Sequence, residues 1–452
     1  MIDNVLKTID ARRGQLLGGL EPFLRIPSVS AKPEHAVDVG NCARWLAREL
    51  EASGLSASVV PTRGHPIVVA RTPQDPARRT VLLYGHYDVQ PVEPLEQWVS
   101  PPFEPAVRDG AVYARGSADD KGQIWAHIEA IRAWGADLPV NLVCVFEGEE
   151  EIGSDNLENF LESNAQQLKA DIAVISDTNQ FARGLPAITY GLRGLVYMEV
   201  TVSGPSHDLH SGMYGGAVPN PANVLVELLA SLHDRDGRVN LPGFYDDVVP
   251  LTQSERDAYA SLPFDEAKFM EELGIAALVG EKGYTTLERK WARPTCDING
   301  LTSGYQGTGA KTIIPAKASA KVSMRLVPNQ DPRKIASAFM QAMRDRAPKG
   351  VTLDFANHGA SAGIIVPMDS RATQLAASAI RTGFNREPVF MREGGSIPVV
   401  GHIKRVLGID TLLVGFGLPD DRVHSPNEKF DLDALYFGAR TAAALYHELA
   451  KL

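Results

Sequence analysis

The stretch VLLYGHYD, residues 81–88, is an apolar run that ends in a histidine and an aspartate. A short continuous run of this kind is typical of a strand buried on both faces of a sheet. NLVCVFEGEEE (141–151) and DIAVISD (171–177) repeat the pattern, and both end in carboxylates. A helical pattern separates the first two runs, at about 122–134. The sequence therefore predicts an α/β fold with a mixed, mostly parallel sheet and helices on both faces.

In open α/β sheets, ligands bind beyond the carboxyl ends of the strands, which is where the polar residues of this chain fall. A fourth apolar run, DTLLVGFG (410–417), precedes a loop that contains a histidine, and ARGSADDKG (114–122) places two aspartates just before a helix. The side chains delivered to these ends are His86, Asp88, Asp119, Glu150, Glu151, Asp177 and His424.

Each of these residues alone has an ordinary structural explanation, such as a helix-capping aspartate or a solvated run of glutamates. Their joint occurrence at strand ends favours a metal site instead. Two histidines with several carboxylates suit zinc, manganese or cobalt, whereas calcium and magnesium sites rarely use imidazole. A two-metal site needs a bridging carboxylate and further ligands for each ion, and this set of residues supplies them.

The pattern changes after residue 195, which suggests a second domain. The predicted catalytic domain comprises residues 1–195 and 363–452, and it begins with an amphipathic helix at 3–24. An inserted α+β domain is predicted at 196–362, because strand and helix patterns alternate there on a smaller scale. Within it, 235–292 contains helical fragments without a strand pattern, and the sequence assigns this segment no role.

Composition limits the classes of function. The chain has 452 residues, a formal net charge of −10 and no long basic run, which disfavours nucleic acid or an anionic membrane as a partner. Three widely spaced cysteines do not form a disulfide framework. No stretch reaches 18 apolar residues and the first residues lack a signal-peptide pattern, so we expect a cytoplasmic protein.

Seven motifs in order, from residue 85 to residue 429, resemble the dinuclear metallopeptidase family of acetylornithine deacetylase, succinyl-diaminopimelate desuccinylase and the carnosinase-type dipeptidases. The motifs are GHYDVQP (85–91), ARGSADDKG (114–122), FEGEEEIGS (146–154), ISD (175–177), DLHSGMYGG (208–216), REGGSIP (392–398) and VHSPNEK (423–429). The resemblance implies a zinc-exopeptidase-like catalytic domain with an inserted ferredoxin-like lid that dimerises.

The resemblance also implies a role for each residue of the metal site. His86 and Asp177 would hold one divalent ion, Glu151 and His424 would hold the other, and the Asp119 carboxylate would bridge the two. The resemblance also implies a cis peptide bond between Asp119 and Asp120. Zinc is expected, with manganese or cobalt as alternatives. Asp88 would orient the His86 ring. Glu150 would be the general base. Because Glu149, Glu150 and Glu151 form a triplet, the choice of Glu150 among them rests on alignment to the family.

Substrate contacts are implied as well. Arg325 would bind the substrate carboxylate, and Thr312, Glu393, Gly395 and Ser396 would line the pocket. His210 would stabilise the oxyanion from the other subunit of a homodimer, the alternative being a structural histidine that caps a turn. Gly212, Gly215 and Gly216 would permit the tight backbone path of its loop.

The predicted activity is metal-dependent hydrolysis of an amide bond in dipeptides or small peptides. Asp177 supports a dipeptidase, because family members that act on dipeptides tend to carry aspartate there and deacylases tend to carry glutamate. Two alternatives stay open at this point: an N-acyl amino acid amidohydrolase on the same fold, and a non-catalytic metal-binding or peptide-binding relative. Intact ligands and Glu150 count against the last.

Overall fold

A computed structural model describes residues 1–452, which divide into two compact units. Unit 1 comprises Met1–Tyr190, Val366–Met391 and Val399–Leu452, and unit 2 comprises Gly191–Ile365 and Arg392–Pro398. The segment Arg392–Pro398 lies in unit 2 although the sequence suggested the catalytic domain. The cause is a set of hydrogen bonds to Arg193 and Arg325 described below.

The strands, in chain order, are β1 (Ser56–Val60), β2 (Ile67–Arg71), β3 (Thr80–His86), β4 (Ala106–Arg108), β5 (Ala111–Tyr113), β6 (Asn141–Glu147), β7 (Ile172–Ile175), β8 (Ala187–Leu192), β9 (Gly194–Ser203), β10 (Leu209–His210), β11 (Thr295–Ser303), β12 (Ile313–Ile314), β13 (Lys317–Leu326), β14 (Thr352–Ser361), β15 (Ile364–Ile365), β16 (Val389–Glu393), β17 (Thr411–Leu413) and β18 (Lys429–Asp431).

The α-helices are α1 (Ile2–Arg12), α2 (Leu16–Leu24), α3 (Ala36–Ala52), α4 (Lys121–Trp134), α5 (Leu157–Asn164), α6 (Ser211–Tyr214), α7 (Pro221–Ala230), α8 (Gln253–Ala260), α9 (Glu266–Leu273), α10 (Thr286–Trp291), α11 (Pro332–Arg346), α12 (Arg371–Phe384), α13 (Pro398–Leu407) and α14 (Leu432–Leu449). No helix is both long enough and apolar enough to cross a membrane.

The sheet of unit 1 has four parallel strands at its centre, in the order β6-β3-β7-β17. β2 pairs antiparallel with β6 on one side, and β8 pairs antiparallel with β17 on the other, so the sheet is mixed as predicted. Every residue of β6 is buried. Because successive side chains of a strand point to opposite faces, this burial shows that the sheet is covered on both sides.

The parallel core determines where the polar residues meet. β6 and β7 are the two neighbours of β3, and all three strands end at the same edge of the sheet. His86 ends β3, the glutamate triplet follows β6, and Asp177 follows β7. The small sheet β18-β5-β4 is the second support, because β18 comes directly after the loop that carries His424.

The helix predicted over 3–24 is interrupted. α1 ends at Arg12, a 3-10 turn spans Arg13–Gln15, and α2 begins at Leu16. Gly14 occupies the turn, and glycine weakens a helix because its backbone loses more conformational freedom on ordering than any other residue. The apolar side of both helices is still buried, at Val5, Ile9, Leu16 and Leu20.

Unit 2 contains a four-stranded antiparallel sheet in the order β11-β13-β9-β14. Together with α7 and α11, the strands give the ferredoxin-like chain order β9-α7-β11-β13-α11-β14. Burial alternates along β9, so one face of the sheet forms a core with the two helices. The segment 235–292 inserts α8, α9 and α10 between α7 and β11.

Candidate metal centre

His86 is fully buried at the end of β3, and Asp88 fixes its ring. Nδ1 lies 3.1 Å from the backbone oxygen of Asp88 and 3.4 Å from its carboxylate, which leaves Nε2 for a ligand. The Asp88 carboxylate also accepts the backbone N–H groups of Glu150 and Glu151, at 3.2 and 3.1 Å. Asp88 therefore connects the end of β3 to the loop after β6, a contact that the sequence did not indicate.

Asp119 lies between the two histidines. Its Oδ1 is 2.8 Å from Nε2 of His86, and its Oδ2 is 3.0 Å from Nε2 of His424. The peptide bond between Asp119 and Asp120 is cis, as the family resemblance implied. One carboxylate that faces a different histidine with each oxygen is what a bridging ligand requires.

Each of the two predicted terminal carboxylates lies near one histidine. Oε2 of Glu151 lies 3.2 Å from Nε2 of His424, and Oδ2 of Asp177 lies 3.9 Å from Nε2 of His86. His86, Asp119 and Glu151 present ligand atoms that all lie within 4.8 Å of one another. Three strand ends and two loops thus bring the five predicted ligands into one cluster.

The three glutamates of the triplet differ in their hydrogen-bond partners. Glu149 accepts the backbone N–H of His65 and the side-chain amide of Asn156, both at 2.8 Å. Glu151 accepts from Gln90 at 2.7 Å and faces His424. The carboxylate of Glu150 makes no hydrogen bond within the chain. Glu149 is thus occupied by structural contacts and Glu151 faces the ligand cluster, whereas Glu150 is free for proton transfer.

The carboxylates of the ligand cluster are not balanced by enough positive charge. Burial raises the pKa of Glu150 to about 8, and burial followed by the charge of Asp119 raises the pKa of Asp177 well above its usual value. Hydrogen bonds to Asp119 and Glu151 raise the pKa of His424 to about 10. Protons are therefore retained where cations would otherwise balance the charge. This donor set fits two divalent ions, because cations would relieve the repulsion that burial imposes on the carboxylates.

Glu428 is a positioning residue that the sequence did not reveal, although it lies inside the motif VHSPNEK. It is 1% exposed and pairs with Arg115 at 2.7 Å. Its two oxygens also accept the backbone N–H groups of Gly116, Ala118 and Asp119 at 3.0–3.2 Å. Because Glu428 follows His424 by four residues, it ties the loop of one ligand to the loop of another.

The predicted substrate residues lie in unit 2, and the structure brings some of them together. Arg325 donates from Nη1 to the Ser396 hydroxyl at 3.0 Å, and Ser396 donates to the backbone oxygen of Arg193 at 2.6 Å. Arg193 donates from Nε to the Gly394 oxygen, directly before Gly395. We call Arg193, Arg325, Gly394 and Ser396 the arginine cluster.

Thr312 and Glu393 have other surroundings. The backbone oxygen of Thr312 accepts the N–H of Ser211 at 3.1 Å, which places Thr312 beside His210. The negative charge of Glu393 acts on Lys290, whose pKa is lowered mainly by burial. Neither side chain is a member of the arginine cluster.

His210 caps the short helix α6. Its Nδ1 accepts the backbone N–H of Gly212 at 3.0 Å, which is the structural role weighed against catalysis in the sequence. A side chain at Gly212 would meet the ring at 3.0 Å, and Gly216 has a φ of +79°, so both glycines suit the loop. Since Nδ1 accepts a hydrogen bond, the neutral ring carries its proton on Nε2. Capping and donation through Nε2 are therefore compatible.

Comparison with known proteins agrees with this site. The profile described as peptidase family M20/M25/M40 matches residues 82–448. The Cys-Gly metallodipeptidase dug1 of Schizosaccharomyces pombe is 34% identical over 470 residues, covering 100% of this chain and 99% of that protein. The Beta-Ala-His dipeptidase of Homo sapiens is 34% identical over 473 residues, covering 100% and 93%.

A solved structure of the dipeptidase Dug1p from Saccharomyces cerevisiae superposes with a TM-score of 0.88 at 31% identity, covering 100% of this chain and 99% of that one. The similarity thus extends over both units and includes every motif that supplies the ligand cluster. On the matching profile, the full-length relatives and the shared fold, this chain belongs to peptidase family M20/M25/M40 and is a metal-dependent hydrolase.

Proposed function

We propose that the chain hydrolyses the peptide bond of dipeptides with a free C-terminal carboxylate, using two divalent ions. The observation that carries this proposal is the position of Asp119, whose two oxygens face His86 and His424 at 2.8 and 3.0 Å. Asp177 and Glu151 complete the two sets of ligands. Imidazole ligands favour zinc, with manganese or cobalt as alternatives.

The chain's own residues would move the protons. Two bound cations would supply the Lewis acidity that activates the attacking water and polarises the scissile carbonyl. Glu150, which is partly buried and whose carboxylate makes no hydrogen bond, would take the proton of the water and deliver it to the leaving amine. Glu149 is unsuited to this step, since both of its oxygens already accept hydrogen bonds. Arg325 would bind the substrate carboxylate with its planar fork.

The relatives support a dipeptide as substrate. Two proteins of equal identity to this chain are named for Cys-Gly and for Beta-Ala-His, which have unlike side chains. What these compounds share is a single peptide bond with a free amine at one end and a free carboxylate at the other. The comparisons do not favour the N-acyl amino acid amidohydrolase, and the dipeptidases among the relatives count against a non-catalytic protein.

Oligomeric state and location are part of the proposal. We propose a homodimer formed through unit 2, in which His210 of one subunit donates from Nε2 to the oxyanion in the other. Exposed apolar side chains of unit 2 support such an interface: Met213, Tyr214, Val226, Ile298 and Leu301. The three cysteines are buried and unpaired, in keeping with a cytoplasmic location.

A substrate panel tests the proposed activity. Cys-Gly, β-Ala-His, N-acetyl and N-succinyl amino acids would be assayed with added zinc or manganese, and again after dialysis against a chelator. We expect hydrolysis of a dipeptide, loss of that activity on chelation, and slower turnover of the N-acyl compounds. Preferred hydrolysis of an N-acyl amino acid would instead support the amidohydrolase.

A further inference from the structure

Arg193 and Arg325 are half-buried arginines of unit 2 that form no ion pair. Neither Arg193 nor Arg325 has a carboxylate oxygen within 4.0 Å of its guanidinium group. Some other arginines of the same unit are paired: Arg293 with Glu281 at 2.7 Å, Arg256 with Glu288 at 3.3 Å, and Arg392 with Glu255. Arg289 and Arg346 also form no ion pair, and both donate to backbone oxygens. The arginine cluster differs from Arg289 and Arg346 because it holds two such arginines, linked through the Ser396 hydroxyl. The charge of Asp297 acts on both of them, although its carboxylate forms no ion pair with either.

The two guanidinium groups also act on each other. Burial followed by the charge of Arg325 lowers the pKa of Arg193 to about 10, and Asp297 offsets this only in part. Like charges in a partly desolvated place are costly, and an anion bound beside both would remove that cost.

Hydrogen bonds leave donors available on both residues. Arg193 donates from Nε to the Gly394 oxygen at 3.1 Å and from Nη1 to the Arg293 oxygen at 3.4 Å. Arg325 donates from Nη1 to Ser396. A guanidinium group has five N–H donors, so each residue retains several for a carboxylate, which accepts through two oxygens.

The backbone around Arg193 has little room to move. A side chain at Gly394 would lie 2.7 Å from Nη2 of Arg193 and 2.9 Å from the backbone oxygen of Lys290. Ser396 links the two arginines by accepting from Arg325 and donating to the Arg193 carbonyl. Arg193 thus also holds the Gly394–Ser396 loop against Arg325.

We propose that Arg193 is a specificity-determining residue, which together with Arg325 selects substrates that carry a free carboxylate. This inference rests on the proposed dipeptidase activity and adds a second cation to the single arginine implied by the sequence. It predicts that the enzyme discriminates strongly against a substrate whose carboxylate is replaced by a neutral amide.

The test compares Ala-Gly with its C-terminal amide in wild type and in Arg193→Met. Because a charged hydrogen bond contributes about 1.5–3 kcal/mol, kcat/KM for Ala-Gly should fall roughly 10- to 100-fold, mainly through KM. The amide should be affected by less than about threefold, since it offers no charge for the arginine to bind. Arg193→Lys, which keeps the charge but not the fork, should give an intermediate acid-to-amide ratio.

Arg346→Met is the matched control. Arg346 lies on α11 and also donates to backbone oxygens, those of Ser231 and Asn240, but contacts no member of the arginine cluster. It should leave the acid-to-amide ratio unchanged. If Arg193→Met does not fold, Arg193→Gln is measured in its place.

An equal loss of kcat/KM for Ala-Gly and its amide in Arg193→Met, or an unchanged acid-to-amide ratio, would overturn the inference. Neither result would contradict the dipeptidase activity. Wild type that cleaves neither Ala-Gly nor any other dipeptide would contradict the proposed function itself, and the inference with it.

Discussion

Glu150→Gln is expected to lower turnover by roughly 10²- to 10⁴-fold while metal content stays at the wild-type level. The amide keeps the size of the side chain but cannot receive the proton of the attacking water. None of the ligand contacts involves the Glu150 carboxylate, so the ligand cluster should persist. Steady-state kinetics together with metal analysis of the purified variant provide the measurement.

The neighbouring glutamate is the control for this variant. Glu149→Gln changes the same side chain one residue earlier, where the carboxylate serves only His65 and Asn156. Loss of about one hydrogen bond should change turnover by less than about tenfold. Near-normal turnover of Glu150→Gln, or a larger loss in Glu149→Gln, would show that the general base is misassigned.

His210→Ala is expected to lower turnover by roughly 10²- to 10³-fold, as for the loss of one oxyanion donor. Metal content should not change, because His210 is not one of the five predicted ligands. His207→Ala is the matched control: His207 is exposed, lies three residues earlier and hydrogen bonds only to Ser206. It should retain wild-type turnover.

Mixed dimers test whether a homodimer forms in which His210 acts in the other subunit. Inactive Glu150→Gln and inactive His210→Ala subunits would be mixed under conditions where exchange is shown with labelled chains. Each mixed dimer should contain one intact site, so we expect part of the wild-type activity to return. Exchange without recovery would mean that His210 does not act in the other subunit.

The sequence predicted the catalytic core well because its signals are local. Continuous apolar runs identified β3, β6 and β7, and the residues at their ends identified the ligand cluster. The parallel order of these strands brings their ends to one edge, whereas the roles of the individual ligands came from the family resemblance. The amphipathic pattern over 3–24 did not indicate the break in the helix at Gly14.

Residues that act over long separations could not be predicted. Glu428 and Arg115 are 313 residues apart, and Arg193 reaches Gly394 across 201 residues. A single buried charge has no periodic signature, and its partner is identified only after the chain has folded. The position of Glu428 four residues after His424, inside a family motif, was the one available signal.

We propose that five side chains hold two divalent ions and that peptide hydrolysis needs both. The most direct measurement is titration of metal-free enzyme with zinc or manganese, with dipeptide hydrolysis and bound metal recorded at each addition. We predict that activity rises until two equivalents per chain are bound, and that His86→Ala fails to retain the full complement. Full activity in the metal-free enzyme, or a His86→Ala protein with both ions bound, would contradict the account.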